Sequence, residues 1–175
     1  MTAYQRVLIT APYEAGCVEE TLDDSALPDG SILVSSRYSL ISTGTELACL
    51  RGVEDWFSIP GTPGYCNAGE VVAVGKGVDG FSIGDQVYTD AGHVGRYFYA
   101  VDRHSSSLVF RVPPGVPMEF VPYMRLASIA LTSTNVSDIQ VGDRVLVVGL
   151  GVVGNFAAQF AQLQGAEVLL SLIHI

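Results

Sequence analysis

The sequence has few of the residues that build metal sites or disulfide frameworks. Its 175 residues include three cysteines, Cys17, Cys49 and Cys66, and no two of them form a C-x-x-C pair. An odd number of widely spaced cysteines argues against a disulfide-stapled secreted domain and against a zinc knuckle. We therefore expect a reducing, cytoplasmic compartment.

Basic residues are also scarce. The chain carries 9 lysines and arginines against 18 aspartates and glutamates, which gives a net charge of −9. Nucleic-acid binding needs a cationic surface that releases counterions from phosphates, so this charge argues against a nucleic-acid partner. The start of the chain has no apolar signal core, and nothing in it predicts export.

One apolar stretch, residues 145–175, is long enough to raise the question of a membrane span. Polar residues interrupt it at regular intervals, as they do in an amphipathic helix of a soluble protein. These residues are Asn155, Gln159, Gln162, Gln164 and Glu167. We therefore expect no membrane partner.

Short β-type runs separated by turn residues occupy the chain from Val7 to about Pro114. The runs that are rich in β-branched and aromatic residues are 7–10, 31–42, 70–74, 86–89, 95–101 and 107–112. Sequences such as Pro28-Asp29-Gly30 form the turns between them. Many short strands predict a barrel or a sandwich. One helix is predicted at residues 45–51, and Gly52 closes it.

The pattern changes after Pro117. Apolar residues from Met118 to Leu131 recur at helical spacing, and a loop is predicted at 132–143. Residues 144–148 form a short apolar run of the kind that is buried in parallel sheets. A helix at 155–164, ended by Gly165, and a strand at 166–170 complete a predicted β-α-β unit.

The loop between that strand and that helix reads Gly149-Leu150-Gly151-Val152-Val153-Gly154, a G-x-G-x-x-G motif. After a buried strand and before a helix, such glycines allow a tight turn and close approach of the backbone to a pyrophosphate. The alternative is a strand-to-helix turn that binds nothing. The acidic residue expected about 20 positions on is absent, because nothing acidic follows Glu167.

Taken together, these motifs resemble those of the medium-chain dehydrogenase/reductase superfamily, the alcohol dehydrogenase-like enzymes. The resemblance runs from about Arg6 to Leu169. It depends on Gly44-Thr45-Glu46-Leu47, Pro63-Gly64 with Gly69-Glu70-Val71-Val72, Gly84-Asp85-Gln86-Val87, Gly142-Asp143-Arg144-Val145 and the glycine loop.

The resemblance implies a GroES-like β barrel at 1–115, a connecting helix and loop at 116–140, and the start of a Rossmann domain at 141–169. The fold class is then α+β overall: a β barrel followed by the first β-α-β part of an α/β domain. It also implies hydride transfer between NAD or NADP and a small-molecule alcohol, carbonyl or enone. The parent protein would be a homodimer or homotetramer.

The chain departs from zinc-dependent members of this superfamily at the metal ligands. Where they have Cys-Gly-Thr-Asp it reads Thr43-Gly44-Thr45-Glu46, and where they have Gly-His-Glu it reads Gly64-Tyr65-Cys66. A catalytic zinc needs three protein ligands drawn from Cys, His, Asp and Glu. We therefore predict no metal site and a zinc-independent oxidoreductase.

Without zinc, another group has to stabilise the developing oxyanion. Thr43, Thr45 and Tyr65 are the candidate catalytic residues in the barrel. The resemblance places Thr45 where zinc enzymes have a proton-relay hydroxyl, and the alternative role for Thr45 is a cap or first-turn residue of the predicted helix. Tyr65 is a candidate proton donor, and its alternative role is packing.

Three further residues are weaker candidates. His93 could act as an acid or base, although a lone histidine in a glycine-flanked loop is more often solvated. Cys66 stands at a former ligand position, and a buried inert thiol is the more common case. Thr132 is a candidate nicotinamide contact that joins the glycine loop, 149–154, as cofactor-binding. Its alternative is a helix hydroxyl.

The final residues, 170–175, are expected to be non-native. Leu170-Ser171-Leu172-Ile173-His174-Ile175 matches the translation of CTG TCT CTT ATA CAC ATC, a transposon end used in sequencing-library adapters. We therefore expect the chain to be an inactive fragment of a longer enzyme, and we assign no function to His174. A dinucleotide-binding module without chemistry is the alternative, and a bare GroES-like interaction barrel is a third hypothesis.

Overall fold

The structure is a computed structural model that describes residues 1–101 and 108–172. It consists of two compact units, Met1–Pro122 and a second unit that begins at Tyr123. The elements of the first unit are β1 Thr2–Ala11, β2 Glu14–Leu22, β3 Ser31–Ser39, α1 Thr43–Arg51, β4 Asn67–Val74, β5 Gln86–Thr89, β6 Arg96–Ala100 and β7 Val109–Arg111. Short 3-10 helices span Asp24–Ala26 and Met118–Tyr123.

The first unit is built from antiparallel strands. Strands β1 and β2 form a hairpin, and a five-stranded sheet has the order β6-β3-β4-β5-β7. Ile32, Val34, Val71 and Val87 form the centre of its core, each fully buried. Residues two apart on a strand share a face, which is why Ile32 and Val34 enter the same core. Isolated bridges link β1 to residues 61 and 94.

Most predicted strands are present with changed bounds. The prediction missed β2, whose nine residues are mostly exposed and therefore show little apolar alternation. The predicted strand 31–42 ends at Ser39, because Ser42 already caps a helix. The bounds of β5 are as predicted. Ser107, the first residue of the predicted strand 107–112, lies outside the described residues.

Helix α1 begins two residues earlier than the predicted start at Thr45. Its N-cap is Ser42, and Gly52 ends it in the left-handed conformation with φ of 71°. The backbone N–H of Gly52 bonds to the carbonyl of Cys49 at 3.0 Å, which satisfies one of the last carbonyls of the helix. The predicted end of the helix is therefore confirmed.

The second unit contains α2 Met124–Val136, β8 Arg144–Val148, α3 Val152–Leu163 and β9 Glu167–Ser171. Strands β8 and β9 pair in parallel with α3 between them in the chain, so the predicted β-α-β unit is confirmed. The predicted loop at 132–143 is wrong at its start, because α2 continues to Val136. Its hydroxyl residues bond to carbonyls within α2, and the Oγ1 of Thr134 donates to Leu131 at 3.0 Å.

The predicted strand at residues 144–148 is present, but its side chains are not buried in this chain. Leu146 is 61% exposed and Val148 is 56% exposed. Within the described residues this sheet has two strands, and its face at Leu146 and Val148 is exposed. Leu170 and Ser171 belong to β9, and residues 173–175 of the tail, with His174, lie outside the described part of the chain. Among the described residues, no helix is both long and apolar enough to cross a membrane.

Candidate functional site

A buried contact between Glu46 and His93 lies beside the start of α1. The Nε2 atom of His93 is 2.7 Å from the Oε2 atom of Glu46, and about a tenth of each side chain is exposed. The second ring nitrogen, Nδ1, lies 2.8 Å from the hydroxyl of Ser39 at the end of β3. The expectation of a solvated His93 is therefore wrong.

Backbone hydrogen bonds fix the loop that carries His93. The N–H of His93 donates to the carbonyl of Pro63, and the carbonyl of His93 accepts from the N–H of Val7, both at 2.9 Å. The loop is thus tied to β1 and to the segment that precedes β4. Because the backbone is held on both sides, the imidazole has a defined position.

The other oxygen of Glu46 caps helix α1. Its Oε1 atom accepts a hydrogen bond from the backbone N–H of Ser42 at 2.7 Å. A carboxylate in the first turn also interacts favourably with the positive end of the helix dipole. Both oxygens of Glu46 are therefore engaged, one by Ser42 and one by His93.

Three hydroxyl groups meet next to this contact, and we call Ser42, Thr45 and Tyr65 the hydroxyl cluster. The phenol of Tyr65 donates to the Oγ of Ser42 at 2.5 Å. The Oγ1 of Thr45 lies 3.4 Å from the same phenolic oxygen. The structure therefore brings together two of the three predicted catalytic candidates, and the sequence reasoning missed Ser42. No local capping signal points to Ser42, because the capping box places its glutamate three positions after the serine and Glu46 follows Ser42 by four.

Thr45 and Thr43 occupy different surroundings. Thr45 lies in the first turn of α1 and is not its N-cap, since that position belongs to Ser42. Thr43 lines a largely apolar cleft of about 280 Å³ together with Ile9, Leu47 and other residues. The structure thus groups Thr45 with Tyr65 and places Thr43 against apolar side chains.

The donors at the metal-ligand positions do not fit a zinc ion. Threonine and tyrosine hydroxyls replace a thiolate and an imidazole, and Cys66 is 1% exposed. Glu46 is already bonded to Ser42 and His93. Among the described residues, no three His, Cys, Asp or Glu side chains are grouped so that they could hold a metal ion. This donor set favours chemistry by hydroxyl groups.

Three glycines shape the loop between β8 and α3. Gly149 has φ of 90°, and a Cβ on Gly154 would collide with the carbonyl oxygen of Gly149. Gly151 is the N-cap of α3, and a Cβ there would meet nothing within 4 Å. The first amide groups of α3 therefore face an open loop with no capping side chain, an arrangement that suits an anion.

Side chains around this loop line a cleft. Leu150, Gly151 and Val152 border a cavity of about 300 Å³, with Asn155 and Phe156 from α3. Val153 is 40% exposed. Leu150 to Val153 belong to the loop predicted to bind the cofactor.

Two further positions bear on the predicted cofactor site: Thr132 and the carboxyl end of β9. The hydroxyl of Thr132 donates to the carbonyl of Ser128 at 3.0 Å inside α2, which is the alternative role foreseen for it. The carbonyl of Ser171, at the carboxyl end of β9, accepts from the N–H of Gly149 at 2.8 Å. Glu167 lies at the opposite end of β9 and pairs with Arg144 at 3.5 Å.

An antiparallel barrel sheet followed by a β-α-β unit with a G-x-G-x-x-G loop defines the class of alcohol dehydrogenase-like proteins. Residues 28–121 match the alcohol dehydrogenase GroES-like domain. The chain belongs to this family, and so to the medium-chain dehydrogenase/reductase superfamily.

Known relatives agree with this assignment. The chain is 27% identical over 154 residues to 2-dehydro-3-deoxy-L-galactonate 5-dehydrogenase of Pseudoalteromonas atlantica, covering 73% of this chain and 45% of the relative. It is 22% identical to D-guloside 3-dehydrogenase of Escherichia coli, covering 95% and 53%. The chain spans about half the length of these curated relatives.

Solved structures share the fold. The crystal structure of CAD from Helicobacter pylori, complexed with NADP(H), superposes with a TM-score of 0.80 at 20% identity. The match covers 96% of this chain and 58% of that structure. The predicted fold class, a GroES-like barrel followed by part of a Rossmann domain, is therefore confirmed.

Proposed function

We propose that this chain belongs to a zinc-independent NAD(P)-dependent oxidoreductase that interconverts an alcohol and a carbonyl, or reduces an enone. The observation that carries the proposal is the hydroxyl cluster. Two of its members, Thr45 and Tyr65, belong to the motifs that hold the metal and its proton relay in zinc-dependent members. A nicotinamide cofactor, when bound, supplies or accepts the hydride.

The hydroxyl cluster supplies what the reaction needs besides the hydride. Reduction of a carbonyl requires a hydrogen-bond donor for the developing oxyanion and a proton for the product oxygen. The hydroxyls of Tyr65 and Thr45 are already linked to each other and to Ser42, so a proton given to substrate can be replaced along the same chain. Thr43 is proposed as a further contact from the apolar cleft.

The absence of zinc is part of the proposal and follows from the donor set. Neither Thr43 nor Tyr65 is a zinc ligand in its neutral form. Glu46 cannot turn to a metal without leaving the N–H of Ser42 and the ring of His93 unpaired. Without a Lewis acid, polarisation of the carbonyl falls to the hydroxyl groups.

The glycine loop supports a dinucleotide cofactor. We propose that the backbone of residues 149–154 and the first turn of α3 bind the pyrophosphate, with Thr132 as a further contact. The choice between NAD and NADP stays open, because the residue expected to select it has no counterpart at the end of β9. The proposed cellular location is the cytoplasm.

The names of the curated relatives support an alcohol or carbonyl substrate. Those cited above are dehydrogenases of a sugar acid and of a guloside. We propose a small-molecule substrate of this general chemistry, in a longer parent protein that forms a homodimer or homotetramer. The 175-residue chain itself is then inactive.

Steady-state turnover of the purified parent tests the proposal. NADH and NADPH are each tried with a panel of aldehydes, ketones and enones, before and after treatment with a chelator, and zinc content is measured. We expect turnover that survives the chelator with far less than one zinc per chain. Stoichiometric zinc in the active protein would overturn the zinc-independent assignment.

The alternative is a dinucleotide-binding module without chemistry. It is favoured by the same loss of metal ligands, which a sensor or structural protein would also tolerate. Tight cofactor binding with no turnover across the panel would support it, whereas turnover excludes it.

A further inference from the structure

The hydroxyl cluster is assembled from two separate stretches of the chain. Ser42 and Thr45 lie at the start of α1, whereas Tyr65 lies in the segment that precedes β4. A 2.5 Å hydrogen bond between Tyr65 and Ser42 requires both stretches to be held in place. Proton transfer is sensitive to such distances, so the contacts that hold the two stretches in place affect the geometry of the hydroxyl cluster.

The carboxylate of Glu46 makes the first of these contacts. It binds the backbone N–H of Ser42 at 2.7 Å and the Nε2 of His93 at 2.7 Å. The position of Ser42 is therefore linked to that of His93, although 47 positions in the sequence separate Glu46 from His93. Because the pair is buried, water competes weakly with these hydrogen bonds.

The second contact is between the ring of His93 and the backbone of Gly64. Gly64 has φ of 100°, and a Cβ there would lie 2.9 Å from the Cδ2 and Nε2 atoms of the imidazole. The ring therefore sits directly against the backbone of the residue before Tyr65. Only glycine combines this close approach with this backbone conformation.

We propose that the Glu46–His93 pair positions the hydroxyl cluster, by fixing Ser42 and Tyr65 relative to each other. The contacts form a ring. Tyr65 binds Ser42, and Ser42 binds Glu46. Glu46 binds His93, which packs against Gly64, the residue before Tyr65. In a zinc-dependent member a metal ion could bind both stretches of chain, and here a pair of side chains does so. The catalytic consequence rests on the proposed function, but the positioning role does not.

His93 itself is a positioning residue. Both of its ring nitrogens are occupied, Nε2 by Glu46 and Nδ1 by the hydroxyl of Ser39. The hydroxyl of Ser39 can donate to Nδ1 or accept from it, so the network persists whether the imidazole is neutral or charged. Neither nitrogen is free to exchange a proton with a substrate.

The test uses nuclear magnetic resonance on the chain, with 3-fluorotyrosine at position 65 and amide exchange measured at Ser42. His93→Ala is expected to shift the fluorine resonance and to accelerate exchange of the Ser42 amide by at least about tenfold, as loss of a buried charge-assisted contact implies. His93→Gln, which retains a donor toward Glu46, is expected to keep the exchange rate within about threefold of the wild-type rate.

A matched control is Arg37→Ala, which removes the exposed ion pair between Arg37 and Glu70 in the same unit. It is expected to leave both signals unchanged. Unchanged signals in folded His93→Ala would overturn the proposal. If His93→Ala does not fold, Glu46→Gln decides, because it keeps the size of the side chain but replaces one acceptor oxygen with an NH2 group, which cannot accept a hydrogen bond from Ser42 or His93. Unaltered Ser42 exchange and fluorine resonance in Glu46→Gln would contradict the proposal equally.

Activity of the parent adds a readout that a merely structural role would not move. His93→Ala is expected to lower kcat by at least about tenfold with little change in KM, because substrate still binds while the donor is misplaced. His93→Gln is expected to restore most of the rate. A parent with no wild-type turnover would defeat the proposed function, whereas the magnetic resonance result would still decide the positioning role.

Discussion

The phenolic oxygen of Tyr65 lies 2.5 Å from the hydroxyl oxygen of Ser42 and donates its proton to it. A phenol has one proton, so the 3.4 Å contact with Thr45 has Thr45 as the donor. The direction of the chain is therefore Thr45 to Tyr65 to Ser42. This order assigns Tyr65 the central place in the hydroxyl cluster.

Tyr65→Phe in the parent removes the central hydroxyl and keeps the ring. We expect kcat to fall by about 100-fold, the low end of the contribution of a positioned proton donor. Steady-state kinetics at saturating cofactor measures the loss. Tyr13→Phe is the control, because the side chain of Tyr13 is 73% exposed. A rate for Tyr65→Phe equal to that of the control would remove Tyr65 from the chemistry.

Two glycines of the cofactor loop are expected to respond differently to alanine. Gly154→Ala places a methyl group against the carbonyl of Gly149, and we expect it to lower the free energy of unfolding by about 1–3 kcal/mol. Gly151→Ala meets nothing within 4 Å and leaves stability within about 0.5 kcal/mol. Urea unfolding of the chain measures both values.

The cofactor affinity of Gly151→Ala tests the role of the loop in binding. In the parent, Gly151→Ala is expected to weaken dinucleotide binding although the fold is intact, because its methyl group fills the space where the pyrophosphate approaches. Titration of nicotinamide fluorescence measures this. Wild-type affinity in Gly151→Ala would show that the loop is only a strand-to-helix turn.

The three cysteines are expected to differ in reactivity. Cys17 is exposed, whereas Cys49 and Cys66 are buried. Burial raises the pKa of the Cys49 thiol, with a smaller contribution from the charge of Glu54, and so suppresses its reactive thiolate. We expect iodoacetamide to label one cysteine in the native chain and all three after unfolding. Rapid labelling of Cys66 in the native state would indicate an accessible thiol at the former ligand position.

The ion pair between Asp24 and Arg96 is expected to control acid stability. The guanidinium of Arg96 binds both carboxylate oxygens, at 2.9 and 2.7 Å. This hydrogen bonding from Arg96, aided by one from Thr2, lowers the pKa of Asp24 below its ordinary value of 3.8. A lowered pKa in the folded state means that the pair stabilises the fold above pH 3.8, and that this contribution disappears as the pH falls through the folded-state pKa.

Asp24→Asn should therefore lower the free energy of unfolding at pH 7 and make it less dependent on pH below 3.8. Chemical denaturation between pH 2 and 7, the range spanned by the ordinary titration of aspartate, measures both effects. Asp79→Asn, at an exposed position outside the helices and strands, serves as the control. Parallel pH profiles for wild type and Asp24→Asn would show that the pair does not contribute.

Local patterns explain which elements the sequence predicts well. The bounds of β5 and β8 match because each is a short run rich in β-branched or aromatic residues that lies between turn residues. Strand β2 is different, since its pairing with β1 is what makes it a strand and its exposed side chains carry no periodic signal. The bounds of α2 were missed because its last turns are rich in serine and threonine, which on average favour caps and turns.

The candidate site also contains residues that local patterns predict and a contact that they do not. Thr45 and Tyr65 are found from motifs, because each lies in a short stretch that resembles a known one. The pairing of Glu46 with His93 spans 47 positions and depends on how helix α1 and the loop of His93 pack beside Gly64. No local pattern reports such a contact, which is why the isolated histidine was expected to be solvated.

The contact between Glu46 and His93 also limits how this barrel can change over evolutionary time. Introducing cysteine at position 43 and histidine at position 65 would supply two metal ligands beside Cys66, but it would also remove the phenol that binds Ser42. Losing His93 first would leave a buried carboxylate without its partner, which is strongly destabilising. A lineage that exchanges hydroxyl chemistry for metal chemistry would therefore have to keep the Glu46–His93 pair or replace both of its members while positions 43 and 65 change.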